Sequence, residues 1–142
     1  SLHKELGANV PNPNIDEVKN QIYAITDSID NSLINACHDI SDGGVAVTLS
    51  EMTFENNIGC SVNISGKLSV EKLLFSETGG FIIEVIDSNV DAIKKIFQHY
   101  ALAIDLIGET TKEKYIKINN KIDLKIEEAK ELWLNGLREK IK

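Results

Sequence analysis

A chain of 142 residues, 42% hydrophobic and 26% charged, has the composition of one soluble globular domain with a single sizeable core. A net charge of -7, with a pI near 4.9, excludes a broad nucleic-acid surface, which needs clustered Lys and Arg. No run of about 18 apolar residues occurs, so no transmembrane helix or membrane partner is expected, and the first residues lack the pattern of a signal peptide.

In chain order, residues 1–14 read as irregular, because Gly7, Pro11 and Pro13 interrupt any regular element. The start at Ser1-Leu2, without methionine, suggests a fragment or a processed product. From Asp16, the residues Val18, Ile22, Ile25, Ile29 and Leu33 repeat at helical spacing, and a short strand over Leu33–Cys37 follows. Ser41 or Asp42 is the expected N-cap of a second helix, with Val45, Ala46, Leu49 and Met52 on one face and Asn56-Asn57 and Gly59 at its end. Cys60, Val62 and Ile64 alternate with polar residues as a half-buried strand does.

A polar turn and a short helical stretch then lead to Leu73-Leu74-Phe75. Phe81–Ile86, apolar but for Glu84, predicts a central strand, and Val90, Ile93, Phe97 and Tyr100 mark a further helix. Ile104–Ile107 reads as a strand ending at Gly108-Glu109. Tyr115–Ile118 and Ile122–Ile126, joined by Asn119-Asn120-Lys121, carry a hairpin signal. Ala129, Leu132, Trp133 and Leu137 set one face of a last helix on the core. The expected architecture is α/β (α+β): one mixed sheet flanked by helices, in one domain over residues 1–142.

Two polar glycine loops lie at strand ends. The first, Cys37-His38-Asp39-Ile40-Ser41-Asp42-Gly43-Gly44, puts two carboxylates before a helix N-terminus, whose N–H groups and dipole favour anions. Asp39 and Asp42 suit a hard cation, and Gly43 and Gly44 permit close backbone approach. The second, Ser76-Glu77-Thr78-Gly79-Gly80, is by itself a turn with an exposed acid, but a second acidic Gly-Gly loop in one small domain favours a shared ligand site. No GxxxxGK[ST] or GxGxxG pattern is present, so magnesium and backbone dipoles must supply most of the positive field for a phosphate. His38, Asp39 and Ser41 do not make a catalytic triad, since neighbours in a strand point to alternate faces; a hydrogen-bonded structural role is expected for His38. Cys37 and Cys60 have no CxxC spacing, which argues for buried thiols in a reducing, cytoplasmic setting.

His38-Asp39-Ile40-Ser41-Asp42-Gly43-Gly44-Val45-Ala46-Val47, then Glu51-Met52, Gly59, Leu74-Phe75-Ser76-Glu77 and Gly108-Glu109, resemble the carboxy-terminal domain of the aminoimidazole ribonucleotide synthase superfamily. Within it, the first loop and the downstream Phe75-Ser76-Glu77 are most similar to the formylglycinamidine ribonucleotide synthase family, in the second carboxy-terminal domain of its synthetase subunit. The resemblance implies part of an ATP-dependent ligase of purine biosynthesis, which joins glutamine-derived ammonia to formylglycinamide ribonucleotide. It implies Mg2+ held by Asp39, and a nucleotide or substrate held by Ser41, Asp42, Gly43, Gly44, Ser76, Glu77 and Thr78. It also implies that the catalytic His lies in another domain, so that no catalytic residue is expected here and the chain is inactive alone. Expected partners are the other domains of the synthetase, a glutaminase subunit, a small bridging subunit and a second copy of the chain. One departure stands out: Gly79-Gly80-Phe81 occupies the place where the family usually has an Arg before the aromatic. A competing reading is a non-catalytic scaffold holding a structural nucleotide site.

Overall fold

The first helix, α1 (Ile15–Asp30), begins at Asn14, whose side-chain oxygen accepts from the backbone N–H groups of Asp16 and Glu17. It stops where Ser32 takes a left-handed conformation (φ 56°), so Leu33 lies beyond it rather than on it. The computed structural model describes residues 12–136; Leu137 and the residues before 12 lie outside that range. Strand β1 (Ala36–Asp39) leads through the first glycine loop into α2 (Gly44–Phe54). Asn57, at φ 54°, turns the chain after α2 into β2 (Gly59–Val62), as its tolerance of that region predicts. A short α3 (Val70–Phe75) and the second glycine loop lead to β3 (Phe81–Glu84). A single 3-10 turn, Asp87–Asn89, opens α4 (Val90–His99). Then come β4 (Gly108–Thr111), β5 (Tyr115–Ile118), β6 (Ile122–Lys125) and α5 (Ile126–Asn135).

The fold is mixed α/β with helices packed on mixed sheet, as expected, but the strands divide between two sheets. β1 and β3 form an antiparallel pair, with His38 opposite Ile82. The other sheet has the order β4-β2-β5-β6, in which only β2 and β5 are parallel. The β5–β6 hairpin stands where the sequence placed it: Asn119 and Asn120 both take φ 52° in its turn.

Among the described residues, two clusters make the core. The larger joins Ala46 and Leu49 of α2 to Cys60, Val62, Leu74, Ile82, Ile116, Ile118, Ile126 and Ala129. The smaller joins Ala24 and Ile25 of α1 to Ile93 and Phe97 of α4. β3 lies between them: Ile82 enters the larger cluster and Ile83 packs on the smaller. This corrects the expectation of a central strand over Phe81–Ile86. The run is apolar because helices cover both of its faces, while its single strand neighbour among the described residues is β1.

Ile104–Ile107 is irregular, and the strand starts only at Gly108. Its apolar residues anchor a crossing segment, Ile104 on the smaller cluster and Ile107 on the larger. On α5, Ile126 and Ala129 reach the core, but Leu132 and Trp133 are 67% and 54% exposed. No helix among the described residues is long and apolar enough to cross a membrane.

Candidate functional site: two glycine loops in contact

The alternation of β1 turns Cys37 and Asp39 outward and Ala36 and His38 inward. Asp39 therefore ends the strand with a side chain 64% exposed, and Ser41 and Asp42 continue the exposed rim. Gly43 follows at φ 81° and is the N-cap of α2, in place of Ser41 or Asp42. Neither polar side chain caps the helix. The carboxylate of Glu77, from the second loop, accepts the Gly43 N–H at 2.9 Å, while the Ser41 carbonyl accepts the Gly44 N–H at 3.0 Å. A negative group at a helix N-terminus is electrostatically well placed. Here the chain supplies it.

Gly44 takes φ 65°, and a Cβ built on it would lie 2.8 Å from the carbonyl oxygens of both Leu74 and Ser76. The close approach that glycine permits at this position is therefore between α2 and the end of α3. Ile40 N–H donates to the Gly80 carbonyl at 2.9 Å, which extends the β1–β3 pairing into both loops. The structure thus brings Gly43, Gly44, Ser76 and Glu77 together, with Asp39, Ser41 and Asp42 on one rim and exposed Thr78 on the other loop.

His38 is the packed residue that was expected. Its Nδ1 lies 2.8 Å from the Asp39 carbonyl oxygen and 3.5 Å from Asp39 Oδ1, and its Nε2 lies 3.2 Å from Glu51 Oε2. Thr48, which the sequence reading passed over, is buried and donates toward the Asp39 carbonyl at 3.2 Å and the Gly44 carbonyl at 3.1 Å. Glu51 entered that reading only as part of a motif, and Trp133 only as core. A signal for the first two existed: Gly44, Thr48 and Glu51 recur at i, i+4 and i+7, which puts polar residues on the α2 stripe facing β1.

Cys60 is buried, but Cys37 is exposed, which corrects the expectation of two buried thiols. Partial burial of the sulfur atom on this otherwise exposed residue, and then the charge of Asp39, push the Cys37 thiol above its usual value. An apolar cleft of about 310 Å³ opens beside the loops, lined by Ile25, Ile40, Val45, Gly80, Ile82 and Ile104 among others; among the described residues no Lys or Arg lines it. Among the described residues, no three His, Cys, Asp or Glu side chains gather as a metal cage. Magnesium does not require one. It keeps several waters and binds through one or two carboxylates with substrate phosphates completing the shell. The exposed oxygen donors of Asp39 and Asp42 fit that use.

Comparison with known proteins identifies the family. Residues 2–120 match the family described as AIR synthase related protein, C-terminal domain. The phosphoribosylformylglycinamidine synthase subunit PurL of Methanothrix thermoacetophila is 37% identical over 138 residues, which are 94% of this chain and 18% of that protein. A probable phosphoribosylformylglycinamidine synthase of Arabidopsis thaliana is 34% identical over 110 residues, 75% of this chain and 8% of that protein. The chain thus spans less than a fifth of the length of these relatives. A solved phosphoribosylformylglycinamidine synthase II from Thermotoga maritima superposes with a TM-score of 0.72 at 17% identity, over 84% of this chain and 22% of that one. At that identity the likeness speaks for the fold, and the sequence match speaks for descent: the chain belongs to the AIR synthase related C-terminal domain family.

Proposed function

We propose that this chain is the C-terminal domain of a phosphoribosylformylglycinamidine synthase, most like the second such domain of the synthetase subunit. In this reading it serves an ATP-dependent ligase that converts formylglycinamide ribonucleotide, with glutamine-derived ammonia, to the formylglycinamidine product. The observation that carries the reading is the sequence match to this family over residues 2–120, to which the structure adds that the two glycine loops lie in contact. The names of the sequence relatives, and a Thermotoga maritima PurL complexed with ATP, support the substrate class.

Asp39 is assigned to Mg2+, and Ser41, Asp42, Gly43, Gly44, Ser76, Glu77 and Thr78 to nucleotide or substrate. Bound magnesium would offset the charge of the phosphates there. The chain's own residues orient: the loop backbone is held by Thr48 and Glu77, and Asp39 is presented to solvent at the end of β1. The remaining synthetase domains, a glutaminase subunit and a small bridging subunit are the proposed partners, a PurLQS structure from Thermotoga maritima being among the fold neighbours, and the cytoplasm is the proposed setting.

Titration of ATP and MgCl2 into this chain, alone and joined to the remaining synthetase domains, tests the proposal. The expected result is no product from the chain alone. In the joined protein, Asp39→Asn weakens Mg2+-dependent ATP retention and leaves the fold intact. Product formed by the chain alone, or retention unchanged by Asp39→Asn, overturns it. One observation favours a scaffold reading: Glu77 already occupies the α2 N-terminus, where a transferring phosphate would be expected. Labelled nucleotide that stays bound through many turnovers, without exchange, would select that reading.

A further inference from the structure

Asp39 is exposed, yet its backbone carbonyl is held by one residue, and that residue is itself flanked on its far side. His38 Nδ1 meets the Asp39 carbonyl at 2.8 Å and reaches Oδ1 at 3.5 Å. On the other side of the ring, Nε2 meets Glu51 Oε2 at 3.2 Å. The second Glu51 oxygen, Oε1, accepts the Trp133 indole N–H at 2.8 Å. The Trp133 ring packs against Phe54, with centroids 5.9 Å apart. A continuous chain of contacts therefore runs from α5 through α2 to the end of β1. Glu51 is its middle link, with each carboxylate oxygen engaged by a different element. A partly buried carboxylate costs free energy unless its oxygens are satisfied, and packing alone is served at such a position by an apolar side chain. A carboxylate that accepts an indole N–H at one oxygen and lies against a ring nitrogen with the other is limited in its plane, as an imidazole flanked at both nitrogens is limited in its orientation.

We propose that Glu51, steadied by Trp133, is a positioning residue that sets the His38 ring and through it the direction in which Asp39 presents its carboxylate to a hard cation. The cation rests on the function proposed above; the orientation of Asp39 does not. Side chains of this kind, behind a ligand rather than on it, change metal affinity by about 10–100-fold when removed.

The test compares Glu51→Ala, Glu51→Gln and Trp133→Phe with the unaltered protein by two readouts. The first needs no ligand: the ring-nitrogen NMR signals of His38 and the carboxyl carbon signal of Asp39. Glu51→Ala should move both toward the averaged values of mobile side chains. Glu51→Gln, which keeps a group on each partner, should restore them, and Trp133→Phe, which keeps the ring on Phe54, should shift them part way. The second readout is Mg2+ affinity in the presence of ATP, expected to fall about tenfold in Glu51→Ala and to recover in Glu51→Gln. Unmoved His38 and Asp39 signals in a folded Glu51→Ala protein overturn the proposal. Should that variant not fold, unmoved signals in Trp133→Phe overturn it instead. An affinity unchanged by Glu51→Ala but lost in Asp39→Asn also overturns it. If the unaltered chain, joined to the remaining synthetase domains, binds neither Mg2+ nor ATP while the signals move as expected, the functional proposal fails and the positioning of Asp39 stands.

Discussion

Cys37 and Asp39 lie two residues apart on β1 and share its outer face, so the thiol reports on the carboxylate. The thiolate is the attacking form in alkylation, and both burial and the Asp39 charge make it scarcer. Iodoacetamide should therefore alkylate Cys37 severalfold more slowly than the same residue in the unfolded chain at neutral pH. Asp39→Asn should speed the reaction, and so should Mg2+ if it binds at Asp39; equal rates in all states would break the link. The glycines divide by what surrounds them. Gly79 has φ 83° but open space where a Cβ would go, so Gly79→Ala should cost about 1–2 kcal/mol of backbone strain. Gly44→Ala adds a clash with two backbone carbonyls and should cost about 3 kcal/mol or more. Urea unfolding of the two variants checks the order.

At the scale of elements, α2 starts without a side-chain cap of its own and is completed by Glu77 from 34 residues away. Glu77→Ala should lower stability by about 1 kcal/mol. Glu77→Gln should lose less, since its amide oxygen still accepts, and its difference from Glu should shrink in high salt. Denaturant unfolding at two salt concentrations decides this. Between α1 and α4, the Tyr100 hydroxyl donates to Asp27 Oδ2 at 2.5 Å. That hydrogen bond, followed by burial, holds the phenol above its usual value. A raised folded value means that the stability it contributes is fully present below about pH 10 and is lost as pH rises through the folded value. The stability difference between the unaltered protein and Tyr100→Phe should thus be flat at neutral pH and shrink in alkali. A difference constant across the alkaline range would show that the hydrogen bond does not couple to folding.

At the scale of the whole molecule, Ile15, Leu106 and Leu132 are 80%, 73% and 67% exposed, large apolar side chains left mostly open to solvent. Large exposed apolar patches on soluble domains mark contacts with other surfaces. Self-association to a homodimer is the expected result for the isolated chain, and joining the remaining synthetase domains should suppress it. Sedimentation velocity at several concentrations checks this; a strictly monomeric species even in concentrated solution would count against it. The net charge of -7 opposes association, so added salt should strengthen it.

Local features were legible in the amino-acid sequence because they rest on neighbours in the chain. Helical spacing marked α1, α2 and α4; Asn119-Asn120 marked the hairpin turn; and the two glycine loops stood out by composition. The family, too, was carried by contiguous motifs. Tertiary structure alone decided what each loop touches. Nothing within eight residues of Gly43 names Glu77 as its partner, and the turn chemistry of Ser41 and Asp42 pointed to a side-chain cap that a distant carboxylate displaces. The apolar run of β3 reads the same whether strands or helices cover it, so only packing could show that its two faces serve two clusters. Trp133 reads as core by spacing, and only the approach of α5 to α2 turns it into the donor that holds Glu51. Periodicity reports that a face is covered; which element covers it depends on contacts distant in sequence.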